Sequence, residues 1–124
     1  MSDEFNVVIQ NSAKTPAIKL KPSFPLFTVE QFLPDYLYYP CNEGFILGEN
    51  SALNYPALVI TPVPVLPGAI ILCRKIGLLE DKVVTVPVSK LTSLYDHVKK
   101  IQDLPGLLVQ QIKDFYDHAQ SAVA

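Results

Sequence analysis

The sequence predicts a small α+β domain that contains short β-strands along most of its length and one helix near its end. Two apolar runs, Ala57–Thr61 and Ala69–Cys73, flank the proline- and glycine-rich segment Pro62–Gly68, a pattern typical of buried strands joined by a turn at the centre of a small barrel. From residue 104 onward, apolar residues recur at helical spacing. A chain of 124 residues is long enough for one hydrophobic core, which predicts a single domain.

Composition excludes several classes of protein. Hydrophobic residues make up 49% of the chain and charged residues 18%, which indicates a globular rather than a disordered protein. The net charge of −2 offers no general attraction to nucleic acid or to an anionic membrane. Four prolines between residues 50 and 73 argue against a transmembrane helix. The N-terminal residues show no secretory signal, that is, no basic segment followed by an apolar run. We therefore expect a cytoplasmic protein with no nucleic acid or membrane partner.

Taken in order, the first half of the chain reads as strands separated by turns. The predicted elements are a strand at Phe5–Gln10, a turn at Asn11–Pro16, a strand at Ile18–Lys21, a break at Pro22–Pro25, and a strand or extended edge at Leu26–Leu33. Cys41 and Cys73 lie in apolar surroundings and are predicted to be buried free thiols.

The second half ends in the helix. Strands are predicted at Lys75–Leu79 and Val83–Val88, with Glu80-Asp81-Lys82 as the hairpin turn between them. Asp103 is predicted to be the N-cap of the helix, with Pro105 in its first turn. The buried stripe of this helix is predicted to consist of Leu104, Leu108, Ile112, Phe115 and Ala119.

Four motifs then occur in a fixed order: YPCNEGF, TPVPVLPG followed by CRKIG, VPVSKL, and YDHVKKIQDLPGLL. Together they resemble the family I (soluble) inorganic pyrophosphatases, and the likeness runs from about residue 7 to residue 120. The resemblance implies a five-stranded OB-like β-barrel with a long C-terminal helix, and a helical connector at Ser89–Ile101. It also implies that residues 1–124 form one pyrophosphatase-like domain without the family's last C-terminal segment.

The resemblance implies a role in phosphate metabolism through a defined chemistry. In the family, water activated by several Mg²⁺ ions attacks a phosphoanhydride, carboxylates hold the metals, and basic and tyrosine side chains bind the phosphates. The family's Asp-x-Asp-Pro-x-Asp metal loop matches Leu53–Leu58, where Pro56 is kept and every carboxylate is absent. Lys19, Tyr39 and Lys82 match phosphate-contact positions.

Other matched positions have changed residue type. Gln10 and Lys21 stand in place of glutamates, Gln31 in place of an arginine, Glu43 in place of a tyrosine, and Ala119-Gln120 in place of a Tyr-Lys pair. Glu80 and Asp81 remain as weak candidates for metal ligands. The sequence therefore favours a catalytically degenerate family member, a pseudoenzyme, with no catalytic residue and no resident metal or cofactor.

Two alternatives stay open. The first is a weak or altered Mg²⁺-dependent hydrolase of pyrophosphate or related anhydrides that uses Lys19, Tyr39, Lys82 and Asp81. The second is a module that binds phosphate or a small ligand without turnover. We also expect a homo-oligomer, or association with another pyrophosphatase-like subunit. Because the corresponding helix of the family contributes to subunit contacts, His118 and Asp114 are the predicted interface residues.

Overall fold

Five strands close into a barrel in the computed structural model of this chain, which describes residues 4–15, 18–23, 26–32, 38–48 and 53–123. The regular elements are β1 (Glu4–Asn11), β2 (Ile18–Ser23), β3 (Leu26–Phe32), β4 (Asn42–Leu47), β5 (Leu53–Val59), β6 (Ile70–Leu79), β7 (Lys82–Pro87), a 3₁₀ turn (Ile101–Asp103) and α1 (Gly106–Val123). The barrel order is β1-β4-β5-β7-β6, and β6 returns to β1. The predicted barrel with a long C-terminal helix is confirmed.

β2 and β3 form a separate two-stranded antiparallel sheet. The predicted break at Pro22 is wrong at that residue, because Pro22 lies inside β2, opposite Phe27. Both strands of such a ribbon are edge strands, where a proline without an N–H is tolerated. The other predicted turn prolines before residue 30, Pro16 and Pro25, lie outside the described residues.

The two apolar strands that flank the Pro62–Gly68 loop do not pair with each other, although the sequence predicts two strands joined by a turn. β7 lies between them, parallel to β5 and antiparallel to β6. β6 is also one strand of ten residues rather than two pieces, with a change of register between Lys75 and Gly77. This irregularity allows one long strand to bend along the barrel wall.

The connector between β7 and α1 consists of turns, so the predicted helical segment at Ser89–Ile101 is wrong. Most of its backbone bonds span three residues, as between the Asp96 amide and the Ser93 carbonyl at 3.1 Å. The bond from the Thr92 amide to the Val88 carbonyl spans four residues but is not continued into a helix. The guanidinium of Arg74 donates to the carbonyl oxygens of Tyr95 and Val98, both at 2.5 Å. Because Arg74 lies on β6, these two bonds fix the connector against the barrel.

α1 begins after Pro105, whose carbonyl accepts the first helical bond from the Val109 amide at 3.2 Å. The predicted N-cap role of Asp103 is wrong. Its carboxylate faces the preceding residues and accepts from the amides of Lys99 at 2.8 Å and Lys100 at 3.2 Å. These bonds, the Lys99 amide first, lower the pKa of Asp103 and close the 3₁₀ turn ahead of the helix.

Two packed layers hold these elements together. The barrel interior contains Val7, Ile9, Ile46, Ala57, Val59 and Cys73. The layer between barrel and α1 contains Cys41, Leu58, Ile60, Ile76, Val84, Val86, Val98, Leu104 and Ile112. The predicted apolar stripe of the helix is confirmed from Leu108 to Ala119, whereas Leu104 is buried in the same layer but precedes α1. Both cysteines are buried free thiols. Within the described residues, no helix has both the length and the apolar character needed to cross a bilayer.

Candidate functional site

Two of the three predicted phosphate contacts lie against neighbouring residues of α1. Tyr39, just before β4, is buried, and its ring centroid lies 4.9 Å from that of Phe115. Lys82 is the first residue of β7 rather than part of the turn, and its Nζ lies 4.2 Å from the centre of the Tyr116 ring. The helix therefore brings Tyr39 and Lys82 to adjacent points on one face of the barrel.

The third predicted phosphate contact, Lys19, belongs to a different sheet. It lies in β2, in register with Gln31 of β3. This two-stranded sheet is not part of the barrel wall that carries Lys82. The roles of Lys19, Tyr39 and Lys82 in phosphate binding stay predictions.

The two candidate metal ligands form the tip of the β6–β7 hairpin. Glu80 and Asp81 are exposed, and both adopt left-handed backbone conformations, with φ of 51° and 64°. Two consecutive residues with positive φ match the twist of the strands that such a tight turn connects. Across the described parts of the chain, no group of three or more His, Cys, Asp and Glu side chains is arranged to hold a metal ion.

The carboxylate of Glu43, which the sequence indicated only as a change of residue type, is bound by two side chains from other elements. One of them is Tyr116, whose ring contacts Lys82. Glu43, half-buried on β4, accepts a hydrogen bond at Oε1 from Asn11 Nδ2 at 3.0 Å. Its Oε2 accepts one from the hydroxyl of Tyr116 at 2.5 Å. Hydrogen bonds to an ionised acceptor are shorter and stronger than neutral ones. Both oxygens of Glu43 are thus bound by side chains of β1 and α1.

This carboxylate changes the acidity of its neighbours. The pKa of Tyr116 is raised well above its usual value, first by burial and then by the negative charge of Glu43. Burial, with a smaller contribution from Glu43, raises the pKa of Cys41 to about 12. Tyr116 therefore stays a hydrogen-bond donor at neutral pH, and Cys41 stays a thiol without nucleophilic character.

Asn42, next to Glu43, holds the surrounding loops. Its Oδ1 accepts from the amides of Ala13 at 3.0 Å and Val65 at 3.1 Å. Its Nδ2 donates to the Val59 carbonyl at 3.0 Å and to Thr61 Oγ1 at 2.7 Å. The side-chain amide thus accepts two hydrogen bonds and donates two, which is all that it can form. These bonds fix the Pro62–Gly68 loop relative to β4.

The predicted interface residues His118 and Asp114 lie on the rim of an open groove of about 630 Å³, which Tyr39 and Phe115 also line. His118 Nδ1 lies 2.7 Å from the carbonyl oxygen of Asp114. Because a carbonyl only accepts, a hydrogen bond here requires the proton on Nδ1. Their role in assembly stays a prediction.

The sequence did not predict the hydrogen bonds that Asn11 and Tyr116 donate to Glu43. Glu43 and Tyr116 are separated by 73 residues, and no local pattern links them. Tyr116 lies beside the helix stripe rather than in it, which marks it as a boundary residue but names no partner. The change of residue type at Glu43 was the one available signal.

Comparisons with known proteins agree on the family. The pattern of the inorganic pyrophosphatase family matches residues 7–122. The chain is 44% identical to the inorganic pyrophosphatase of Yersinia pestis and 41% identical to that of Escherichia coli K12, each over 95% of this chain and 74% of the relative.

Solved structures show the same fold. An inorganic pyrophosphatase from Coxiella burnetii superposes with a TM-score of 0.81 at 31% identity, covering 96% of this chain and 78% of that protein. The corresponding enzyme from Ehrlichia chaffeensis gives a TM-score of 0.79 at 30% identity, over 94% of this chain and 81% of that protein. With its closed five-stranded barrel and C-terminal helix, the chain belongs to the inorganic pyrophosphatase family.

Proposed function

We propose that this chain is a pyrophosphatase-family protein that does not turn over pyrophosphate and acts through binding or assembly. The observation that carries the proposal is the burial of Leu58. This side chain is 0% exposed and packs in the layer beneath α1, at the end of the segment that resembles the family's metal loop. A carboxylate at that position would lie in an apolar core, where its burial is unfavourable.

The donor set on this side of the barrel does not fit a centre of several Mg²⁺ ions. Mg²⁺ requires oxygen ligands, and in proteins carboxylates supply them. Leu53, Tyr55 and Leu58 stand at the matched acidic positions, and both oxygens of Glu43 already accept hydrogen bonds. Glu80 and Asp81, one exposed turn, are the carboxylates that remain from the predicted set. This chemistry supports loss of the metal-dependent step.

The phosphate-contact candidates are engaged with the protein itself. The ammonium of Lys82 lies over the Tyr116 ring, an arrangement that is attractive by cation–π interaction. Tyr39 is buried against Phe115. An incoming phosphate would have to compete with these contacts, which also supports the proposal.

Hydrolysis is the second candidate function, and the comparisons favour it. The curated relatives at 44% and 41% identity are named inorganic pyrophosphatases, and family membership supports turnover more directly than it supports its loss. In this candidate, Lys19, Tyr39, Lys82 and Asp81 would carry a weak or altered Mg²⁺-dependent reaction. Phosphate binding without turnover is the intermediate case.

Phosphate release from pyrophosphate with excess Mg²⁺ separates the two functions. The wild type is compared with Lys82→Ala, with Asp81→Ala, and with Lys75→Ala, a matched change at an exposed lysine of β6. All are purified identically to control for host enzyme. The proposal expects equal, background release from all four. Release that is lost in Lys82→Ala and Asp81→Ala but kept in Lys75→Ala would establish the hydrolase. Calorimetric titration with pyrophosphate then detects binding without turnover.

Self-association is the assembly we propose, with a second copy of this chain as the partner. Val63, Leu66 and Ile70, in and beside the Pro62–Gly68 loop, are exposed by 64%, 77% and 58%. Where exposed apolar side chains form a contiguous patch, they usually mark a contact surface. Light scattering should show a dimer or larger species that Leu66→Lys weakens. A monomeric wild type at micromolar concentration would contradict self-association.

A further inference from the structure

We propose that Asn11, Tyr116 and Lys82 form a binding site for a small oxyanion and that the carboxylate of Glu43 is its resident occupant. This inference rests on the proposed function, because a site already filled by Glu43 would disfavour phosphate binding beside Lys82. It adds the identity of the group that fills the site and the class of ligand that would replace it, a carboxylate or phosphate of similar size.

The donors converge from different elements on one carboxylate. Asn11 is a buried residue at the end of β1, and its amide reaches Glu43 Oε1 at 3.0 Å. Tyr116 comes from α1, and its hydroxyl reaches Oε2 at 2.5 Å. Two donors that bind the two oxygens of one acceptor are the usual arrangement in an oxyanion site.

A positive charge lies against one of the two donors. The ammonium of Lys82 lies 4.2 Å from the Tyr116 ring centre, on the residue that donates to Glu43. A cation over the ring withdraws electron density from the phenol and makes its hydroxyl a stronger donor. If the Glu43 carboxylate were removed, Asn11 and Tyr116 would lose their acceptor, and the Lys82 ammonium would remain over the Tyr116 ring.

The sheet itself places the occupant. Asn11 and Glu43 are in register across the β1–β4 pair, at a change of register between Ile9 and Asn11. A bulge of this kind redirects a side chain from the direction it would take in a regular ladder. The neighbouring residue, Gly44, allows close approach to β1, because a side chain there would collide with the Val8 carbonyl. Glu43 is thus held against its donors by backbone geometry.

Chemical rescue tests the site. We would measure the thermal midpoint of the wild type and of Glu43→Ala in sodium acetate and in sodium chloride at equal ionic strength, with sodium phosphate as a further arm. At acetate ten times its dissociation constant, the Glu43→Ala midpoint should rise by about 3 °C or more over chloride, with no matching rise for the wild type. Adding Tyr116→Phe to Glu43→Ala should abolish the rise.

The outcomes are distinct. Stabilisation of Glu43→Ala by acetate or phosphate that depends on Tyr116 supports the site, and the effective anion defines its size. Equal midpoints in acetate and chloride, or equal rises in wild type and variant, would overturn it. Pyrophosphate turnover by the wild type would instead contradict the proposed function and leave the anion titration of Glu43→Ala unchanged.

A second variant keeps the test decisive if Glu43→Ala does not fold. Glu43→Gln preserves volume and removes charge, and the ionisation of Tyr116 is followed by the absorbance difference from Tyr116→Phe in the same background. Because the Glu43 charge raises the pKa of Tyr116, that pKa should fall in Glu43→Gln. An unchanged Tyr116 titration would show that Glu43 is not the anion beside the phenol.

Discussion

The hydroxyl of Tyr116 on α1 donates a hydrogen bond of 2.5 Å to Glu43 Oε2 on β4, across 73 residues of chain. Asn11 binds the other oxygen of the same carboxylate. This contact joins the helix to the barrel through a charge, whereas Ile112 and Phe115 of the same helix pack through apolar contacts. It connects the fold to the site, because Lys82 lies on the ring of the same tyrosine.

Tyr116→Phe should lower the free energy of unfolding by about 1.5–3 kcal/mol, because a hydrogen bond to a charged acceptor is lost and one carboxylate oxygen is left unpaired. The aromatic ring remains, so packing against Phe115 and Lys82 is preserved. Urea denaturation measures the change. Tyr55→Phe is the control, since Tyr55 is 69% exposed, and a loss of similar size there would contradict the explanation.

Asn42→Ala should be among the most destabilising polar substitutions, with a loss of about 3 kcal/mol or more. The side chain is 0% exposed, and its removal leaves the amides of Ala13 and Val65 without their acceptor. Chemical denaturation of this variant is compared with that of Asn6→Ala, an exposed asparagine on β1. Comparable denaturation midpoints for the two variants would show that the hydrogen bonds of the Asn42 side chain do not stabilise the fold.

The glycines at 44 and 106 should respond to alanine in opposite directions. A methyl group at Gly44 would overlap the Val8 carbonyl of the neighbouring strand, so Gly44→Ala should separate β1 from β4 and destabilise the barrel. Gly106 begins α1, and a methyl group there meets nothing within 4 Å. Gly106→Ala should therefore be neutral or stabilise by up to about 1 kcal/mol. Thermal unfolding of both variants decides the matter, and equal effects would contradict the described strand pairing.

Neither cysteine should react with a thiol reagent in the native protein at pH 8. Burial raises the pKa of Cys41 to about 12 and that of Cys73 to about 11, so little thiolate is present. Ellman's reagent should modify both thiols only after denaturation, whereas Ser89→Cys, at an exposed position, should react at once. Rapid native labelling of wild type would show that the barrel opens readily.

Stability should fall in alkaline solution, and Cys41 should account for part of the loss. Its folded pKa of about 12 lies above the reference value of 9.0, so the unfolded chain releases the proton first. The stabilising contribution is therefore fully present below about pH 9 and is lost progressively as pH rises toward 12. Cys41→Ala should show a shallower decline of unfolding free energy between pH 9 and 11. Parallel curves for wild type and variant would refute this assignment.

Much of the architecture is readable from the sequence. The strand at residues 5–10, the turn at 80–81 and the stripe through Ile112 and Phe115 follow from local apolar periodicity and from turn-forming residues, because these patterns determine which face of an element is buried. The order of the four motifs identified the barrel and its helix. These features depend on neighbouring residues, so the chain specifies them without reference to distant contacts.

Tertiary structure decided the rest. The apolar pattern of a strand does not indicate which strand it pairs with. The position of β7 between β5 and β6 is therefore known only from the closed barrel. The direction of the Asp103 carboxylate depended on a competition between two sets of backbone amides that the sequence places equally near. The Glu43–Tyr116 hydrogen bond depended on the docking of α1. The sequence determined which faces would be buried and which carboxylates were absent, whereas the closed barrel and its helix alone determined which of the remaining polar groups would meet.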